Sequence, residues 1–221
     1  MSELKKQDKQ LTRPADKQEK PSIVYTIALP IVRFLFKTLL PVRYHGLEHV
    51  RNLEAPFILM SNHLSMLDPF MMAAAVPKYQ IRFIGKKELW KHKLVAWFCK
   101  DLKAIPVDRH NTDMEAMRAC MRVTREGHVL GIFPEGTRHH EGVMTELESG
   151  VALIALRSKV PLVPVYITGK LCPLRPLDVY VGQPIMMDDL REMGINTETC
   201  GMLLGRITQT YAALEAARSE K

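Results

Sequence analysis

Asn62-His63-Leu64-Ser65-Met66-Leu67-Asp68-Pro69 places one imidazole and one carboxylate five residues apart, between the apolar runs 57–61 and 70–76. On a continuous helix five residues turn two side chains about 140° apart, out of reach of each other. If a strand ends near His63 and a helix begins at Asp68, the chain folds back and the two can meet. Asp-Pro supports that turn, because Asp is a favoured N-cap and Pro a favoured first helical residue. The chemistry open to such a pair is proton transfer. A carboxylate that accepts from one ring nitrogen fixes the tautomer and leaves the other nitrogen to take a proton. The same residues also read as a plain cap after a strand end, and a carboxylate with two oxygens can serve both ends.

A second stretch, residues 129–138, reads Val-Leu-Gly-Ile-Phe-Pro-Glu-Gly-Thr-Arg. A buried strand runs into a turn, stopped by Pro134 and eased by Gly136, which reaches backbone conformations closed to other residues. Glu135 and Arg138 then project from a strand end, where α/β folds place ligands. A glutamate accepts hydrogen bonds from hydroxyls, and an arginine grips a phosphate through two parallel bonds. A surface loop with an ordinary ion pair fits these residues as well. His139 and His140 have no third ligand at helical spacing and read as exposed polar residues. There is no Gly-x-Ser-x-Gly elbow, phosphate-cradling P-loop or His-Glu-x-x-His helix.

The elements that must carry these residues follow from the pattern of the chain. Short apolar runs at 57–61, 81–85, 104–107, 129–133, 162–168 and 178–182 read as strands. Helical stretches at 69–76, 87–99, 112–126, 146–158 and 199–218 alternate with them, and Thr112 with Glu115 forms a capping box. This alternation predicts an α/β domain with a largely parallel sheet flanked by helices over residues 42–221. Residues 1–21 are polar and aperiodic, an expected arm. Residues 22–41 are the most hydrophobic stretch, nearly the length of a membrane span, yet Arg33 falls near the centre. Thr26, Arg33 and Lys37 share one narrow stripe, which predicts an amphipathic helix at the membrane interface, bent at Pro30. Packing on the protein body is the alternative.

The formal net charge of +7 favours anionic partners. Residues 78–109 hold nine lysines or arginines against three acids, interleaved with Trp90, Trp97 and Phe98. Stacking on nucleic acid or a membrane-interface face would account for that mixture. No nucleic-acid recognition module is present, so nucleic acid is not an expected partner. Cys99, Cys120, Cys172 and Cys200 are widely spaced, which excludes a disulfide framework or zinc site and suits a reducing cytoplasm. No small-residue cleavage site follows the first apolar segment, so no secretory signal is expected.

Taken together, His63-x4-Asp68 and Phe133-Pro134-Glu135-Gly136-Thr137-Arg138 resemble the first and third blocks of the glycerophospholipid acyltransferase family. Lys86-Lys87-Glu88-Leu89 with Arg109 is similar to the second block, and Val160-Pro161-Leu162-Val163-Pro164-Val165 to the fourth. The resemblance covers roughly residues 40–190. It implies an enzyme that moves an acyl chain from acyl-CoA or acyl-carrier protein to the sn-2 hydroxyl of 1-acyl-glycerol-3-phosphate, giving phosphatidic acid. His63 would act as general base and Asp68 as its orienter. Glu135, Gly136 and Thr137 would lie at the acceptor, and Arg138, Arg109 and Lys86 at its phosphate. The resemblance implies no cofactor and no metal, an anionic membrane surface as partner, and residence on the cytoplasmic face of the cell membrane. Acceptors such as glycerol-3-phosphate or another lysolipid, and an idle site in a peripheral membrane-binding protein, are the alternative functions.

Overall fold

The central strands are apolar on both faces, which forces them into the middle layer of a three-layer arrangement. A computed structural model describes residues 22–107, 114–136 and 147–219. In chain order these form α1 (Ile23–Lys37), β1 (Val42–His45), α2 (Glu48–Arg51), β2 (Ile58–Ser61), α3 (Asp68–Ala75) and β3 (Ile81–Lys86). A 3₁₀ turn (Lys87–Lys91), α4 (Lys93–Asp101), β4 (Ile105–Val107), α5 (Met114–Arg125), β5 (Val129–Ile132) and α6 (Ser149–Ser158) follow. The chain continues through β6 (Leu162–Ile167), β7 (Leu177–Val181), α7 (Asp188–Glu192) and α8 (Thr197–Ser219).

The strands form one sheet in the order β1-β7-β6-β2-β5-β3-β4. Strands β6, β2, β5, β3 and β4 are mutually parallel. β7 runs antiparallel to β6, and β1 pairs parallel with β7. Side chains alternate between the two faces as the strand period of two requires. Ile58, Met60, Leu130, Ile132, Leu162 and Tyr166 pack under α5, α6 and α8 through Cys120, Val123, Ala152, Leu156, Leu203 and Tyr211. Leu59, Val129, Val163, Val165 and Ile167 face the other way, against Met71 and Met72 of α3 and Tyr25, Leu29 and Phe36 of α1.

The expected α/β class and its six expected strands are present, each within two residues of the predicted bounds. Three elements are additional: β1, α2 and α7. The helix expected over 87–99 is instead a 3₁₀ turn and a helix separated by an extended His92 (φ −95°, ψ 116°). Trp90 lies across Gly85, where a Cβ would come within 3.1 Å of the indole, and this contact folds the turn back on β3. The arm over 1–21 and the start of the capping box at Thr112 lie outside the described residues.

Helix α1 packs on the protein body, the alternative considered for it, and keeps an exposed apolar face. Its inner face belongs to the core: Tyr25, Leu29 and Phe36 are buried, and Tyr25 Oη donates to the Tyr79 carbonyl at 2.6 Å. Ser22 caps its start by accepting from Tyr25 N–H, and Ser22 N–H donates to Gln80 Oε1. The helix runs on through Pro30. Ile23, Ile27, Ile31 and Phe34 remain exposed, with Phe34 at 66%. Among the described residues no helix is long and apolar enough to cross a membrane.

Candidate active site

Of the residues singled out from sequence, His63, Asp68, Glu135, Gly136 and Lys86 are described, and they lie at or beyond the carboxyl ends of β2, β5 and β3. β2 is central, and two contacts fix its end just before His63. Asn62 clasps the β6 backbone: Nδ2 donates to the Ile167 carbonyl at 2.9 Å and Oδ1 accepts from Ile167 N–H at 2.8 Å. One side chain thus adds a rung where the backbone ladder stops. From the opposite layer, Tyr211 of α8 donates its hydroxyl to the Met60 carbonyl at 2.6 Å. Burial pushes that phenol far above its ordinary pKa, with the nearby Glu135 carboxylate adding to the shift, so Tyr211 remains a donor.

The loop from His63 to Leu67 is organised by Asp68, whose side chain is fully buried. Asp68 Oδ2 accepts from His63 Nδ1 at 2.8 Å, from Leu64 N–H at 2.6 Å and from Ser65 N–H at 2.7 Å. Oδ1 accepts from the Ser65 hydroxyl at 2.7 Å. This corrects the capping expectation. The N-cap position of α3 is Leu67, and Asp68 is the first helical residue. Its carboxylate turns back over the preceding loop, because two backbone N–H groups and a ring N–H there need an acceptor away from water. With Nδ1 donating to Asp68, the lone pair of the neutral ring resides on Nε2. The side chain of His63 is 13% exposed.

Glu135 follows β5, the neighbour of β2, and is 7% exposed. Its Oε2 accepts from the backbone N–H of His63 at 3.1 Å, which ties the two chemical stretches together. Gly136 makes the turn behind it at φ +65°, a conformation that favours glycine, and donates its N–H to the Phe133 carbonyl. Lys86 ends β3, two strands from β2 and so about 10 Å across the sheet, with Glu88 3.9 Å from its ammonium group. Arg109, Thr137, Arg138, His139 and His140 lie outside the described residues.

Three contributors escaped the sequence reading. Asn62 and Ser65 carry no signal beyond their closeness to His63 and Asp68. Phe133 reads as the end of an apolar run, yet its ring stacks on that of His63 with centroids 4.1 Å apart and planes 22° from parallel. Gly131 inside the strand was the available hint, since a glycine there often marks a close approach. Among the described residues no group of three His, Cys, Asp or Glu is placed to hold a metal ion.

What this arrangement can do is accept a proton at Nε2 of His63, with the ring held by a buried carboxylate and its backbone held by a second. Residues 41–168 match the family model described as Acyltransferase, more than half of the chain. The chain belongs to the acyltransferase family. Both stretches of this acyltransferase, and the His63–Asp68 pair of the first, fall inside the matched region. It is 31% identical to the 1-acyl-sn-glycerol-3-phosphate acyltransferase of Streptococcus pneumoniae over 178 residues, 78% of this chain and 65% of that protein. It is 30% identical to the enzyme of the same name from Bacillus subtilis over 145 residues, 63% of this chain and 72% of that one. The alignment with the Streptococcus enzyme therefore spans a little under two thirds of that protein's length. The fold of this acyltransferase also matches the crystal structure of the 1-acyl-sn-glycerophosphate acyltransferase PlsC from Thermotoga maritima. The TM-score is 0.64 at 22% identity, covering 97% of this chain and 88% of that one.

Proposed function

We propose that this acyltransferase moves a fatty acyl chain from a thioester, acyl-CoA or acyl-carrier protein, to the sn-2 hydroxyl of 1-acyl-glycerol-3-phosphate. The single observation that carries the reading is the His63–Asp68 pair at 2.8 Å with Nε2 left to accept. The names of the Streptococcus and Bacillus relatives supply the acceptor. In this reading Nε2 of His63 removes the hydroxyl proton as the oxygen attacks the thioester carbonyl. A C–O bond forms and the C–S bond breaks. The departing thiolate recovers the proton from the imidazolium, giving phosphatidic acid and a free thiol. The transfer is direct and calls for neither metal nor bound cofactor. Arg109, Arg138 and Lys86 take the phosphate. Glu135 anchors the His63 backbone through one oxygen, and with Gly136 and Thr137 it borders the acceptor. Thiol release from palmitoyl-CoA by the purified protein, with and without the lysolipid, tests this. Acceptor-dependent release is expected. Release that ignores the acceptor would mean a thioesterase.

We also propose that the enzyme works at an anionic membrane surface from the cytoplasmic side. Ile23, Ile27, Ile31 and Phe34 on α1 and Leu94 and Trp97 on α4 are exposed, and α4 lies within the basic segment. Apolar burial with lysines at the head groups suits an interfacial docking face. Ile27→Glu with Phe34→Glu leaves the inner face of α1 in the core and is expected to abolish sedimentation with vesicles containing phosphatidylglycerol. A doubly substituted protein that still sediments would remove α1 from the docking surface.

A further inference from the structure

We infer that Phe133 is a positioning residue for His63: its ring face, backed by Phe83 over Gly131, sets the plane of the imidazole that Asp68 alone leaves free to swing. The inference deepens the reading of His63 as a general base and rests on it.

A single hydrogen bond fixes one atom of a ring. The bond from His63 Nδ1 to Asp68 places that nitrogen, but a hydrogen bond tolerates misalignment of about 30°, which leaves Nε2 a residual arc. A planar face against the ring removes that freedom. Phe133 supplies one at 4.1 Å and 22°. Phe133 is itself supported, because Phe83 lies nearly parallel to it, with centroids 6.0 Å apart and planes 14° from parallel. Phe83 is registered directly opposite Gly131 in the β3–β5 pair. A Cβ on Gly131 would meet the Phe83 ring at 2.4 Å, so the glycine is what lets that ring lie across β5. Gly131 and Phe133, two residues apart, share one face of the strand direction. The result is a row of three rings, His63, Phe133 and Phe83, seated on a glycine. None of the three rings is fully buried, and Phe83 and Phe133 pack against the core from its margin.

The face also matters electrostatically. When His63 takes the hydroxyl proton its ring becomes a cation against the negative face of an aromatic ring, an attractive arrangement. Leucine at 133 would keep the apolar volume but offer neither a plane nor a quadrupole. Tyrosine would keep both.

Phe133→Leu is therefore expected to lower kcat for acyl transfer about tenfold, the rate equivalent of one ring-stacking contact. The KM values for lysophosphatidate and palmitoyl-CoA should stay within twofold. Phe133→Tyr should restore kcat to near the unsubstituted value. A readout independent of activity accompanies the kinetics. In the full-length protein with labelled histidine, ring-current shielding should move the His63 ring-proton resonances upfield, and that shift should vanish in Phe133→Leu and survive in Phe133→Tyr. Unchanged kcat in Phe133→Leu, a KM change without a kcat change, or equal losses in the Leu and Tyr variants would each overturn the role. If the unsubstituted protein transfers no acyl group, the proposed reaction is wrong. The resonances then still decide the stack: a shift lost only in the Leu variant upholds the positioning of His63, and no shift in any variant rejects it.

Discussion

Replacing His63 by alanine is expected to lower kcat by about 10²–10⁴-fold, the range supplied by a positioned general base. The protein should stay folded. The His63 side chain is at the sheet edge in a loop, and its removal leaves Asp68 with three remaining donors, Leu64 N–H, Ser65 N–H and the Ser65 hydroxyl. Asn62 and Glu135 hold the local backbone without the imidazole. KM for the acceptor should move little, because the residues proposed to take the phosphate lie elsewhere in the chain. Thiol release and a thermal melt on the same preparation measure both halves of the expectation. Full turnover in a folded His63→Ala protein would end the base assignment.

The second large effect is at Asp68, where activity and stability separate according to the substitution. Asp68→Ala strips the acceptor from four donors at a position with no exposure. At about 1–3 kcal/mol for each buried group left unpaired, even two uncompensated donors cost roughly 2–6 kcal/mol. That is a large fraction of the 5–15 kcal/mol of a typical domain. Asp68→Asn keeps the shape and one carbonyl oxygen, and Ser65 can turn its hydroxyl to accept from the new amide. Its stability loss should therefore be no more than about 1–3 kcal/mol. Activity should still fall about 10³-fold or more, since a neutral amide no longer supports an imidazolium at Nδ1. Urea unfolding and kcat measured on both variants separate the two roles. An Asn variant with full activity would reduce Asp68 to a loop organiser.

Much of this was legible in the residues. The five-residue spacing with Asp-Pro announced the return loop, and alternating apolar runs announced the parallel layers. The rest depends on partners distant in the chain. β1 is four residues, Val-Arg-Tyr-His, and owes its strand character to pairing with β7. Asp68 satisfies the textual signature of a cap, yet the loop before it holds more donors needing an acceptor than the helix after it. Glu135 reads as a substrate ligand from its turn, while one of its oxygens accepts from the His63 backbone beyond the neighbouring strand. α1 displays an almost wholly apolar circumference, and no periodicity says which part meets protein. Packing in the core beside Met71 and Met72, with the Tyr25–Tyr79 hydrogen bond, decides that Tyr25, Leu29 and Phe36 point inward.

The clasp of Asn62 on Ile167 spans 105 residues of chain, and this sets a timetable during synthesis. A ribosome adding about 5–20 residues per second delivers β6 roughly 5–20 s after Asn62 has been made. β5 follows Asn62 by about two thirds of that stretch of chain, and until it is made β2 has neither of its sheet neighbours to cover Ile58, Leu59 and Met60. α1 has by then already left the ribosome. The nascent chain thus presents α1 well before the His63–Asp68 site can close, and under the proposed docking role tethering at the bilayer can precede the closing of the sheet. Tyr211, on the last described helix, reaches the end of β2 only after β6 and β7 have been made.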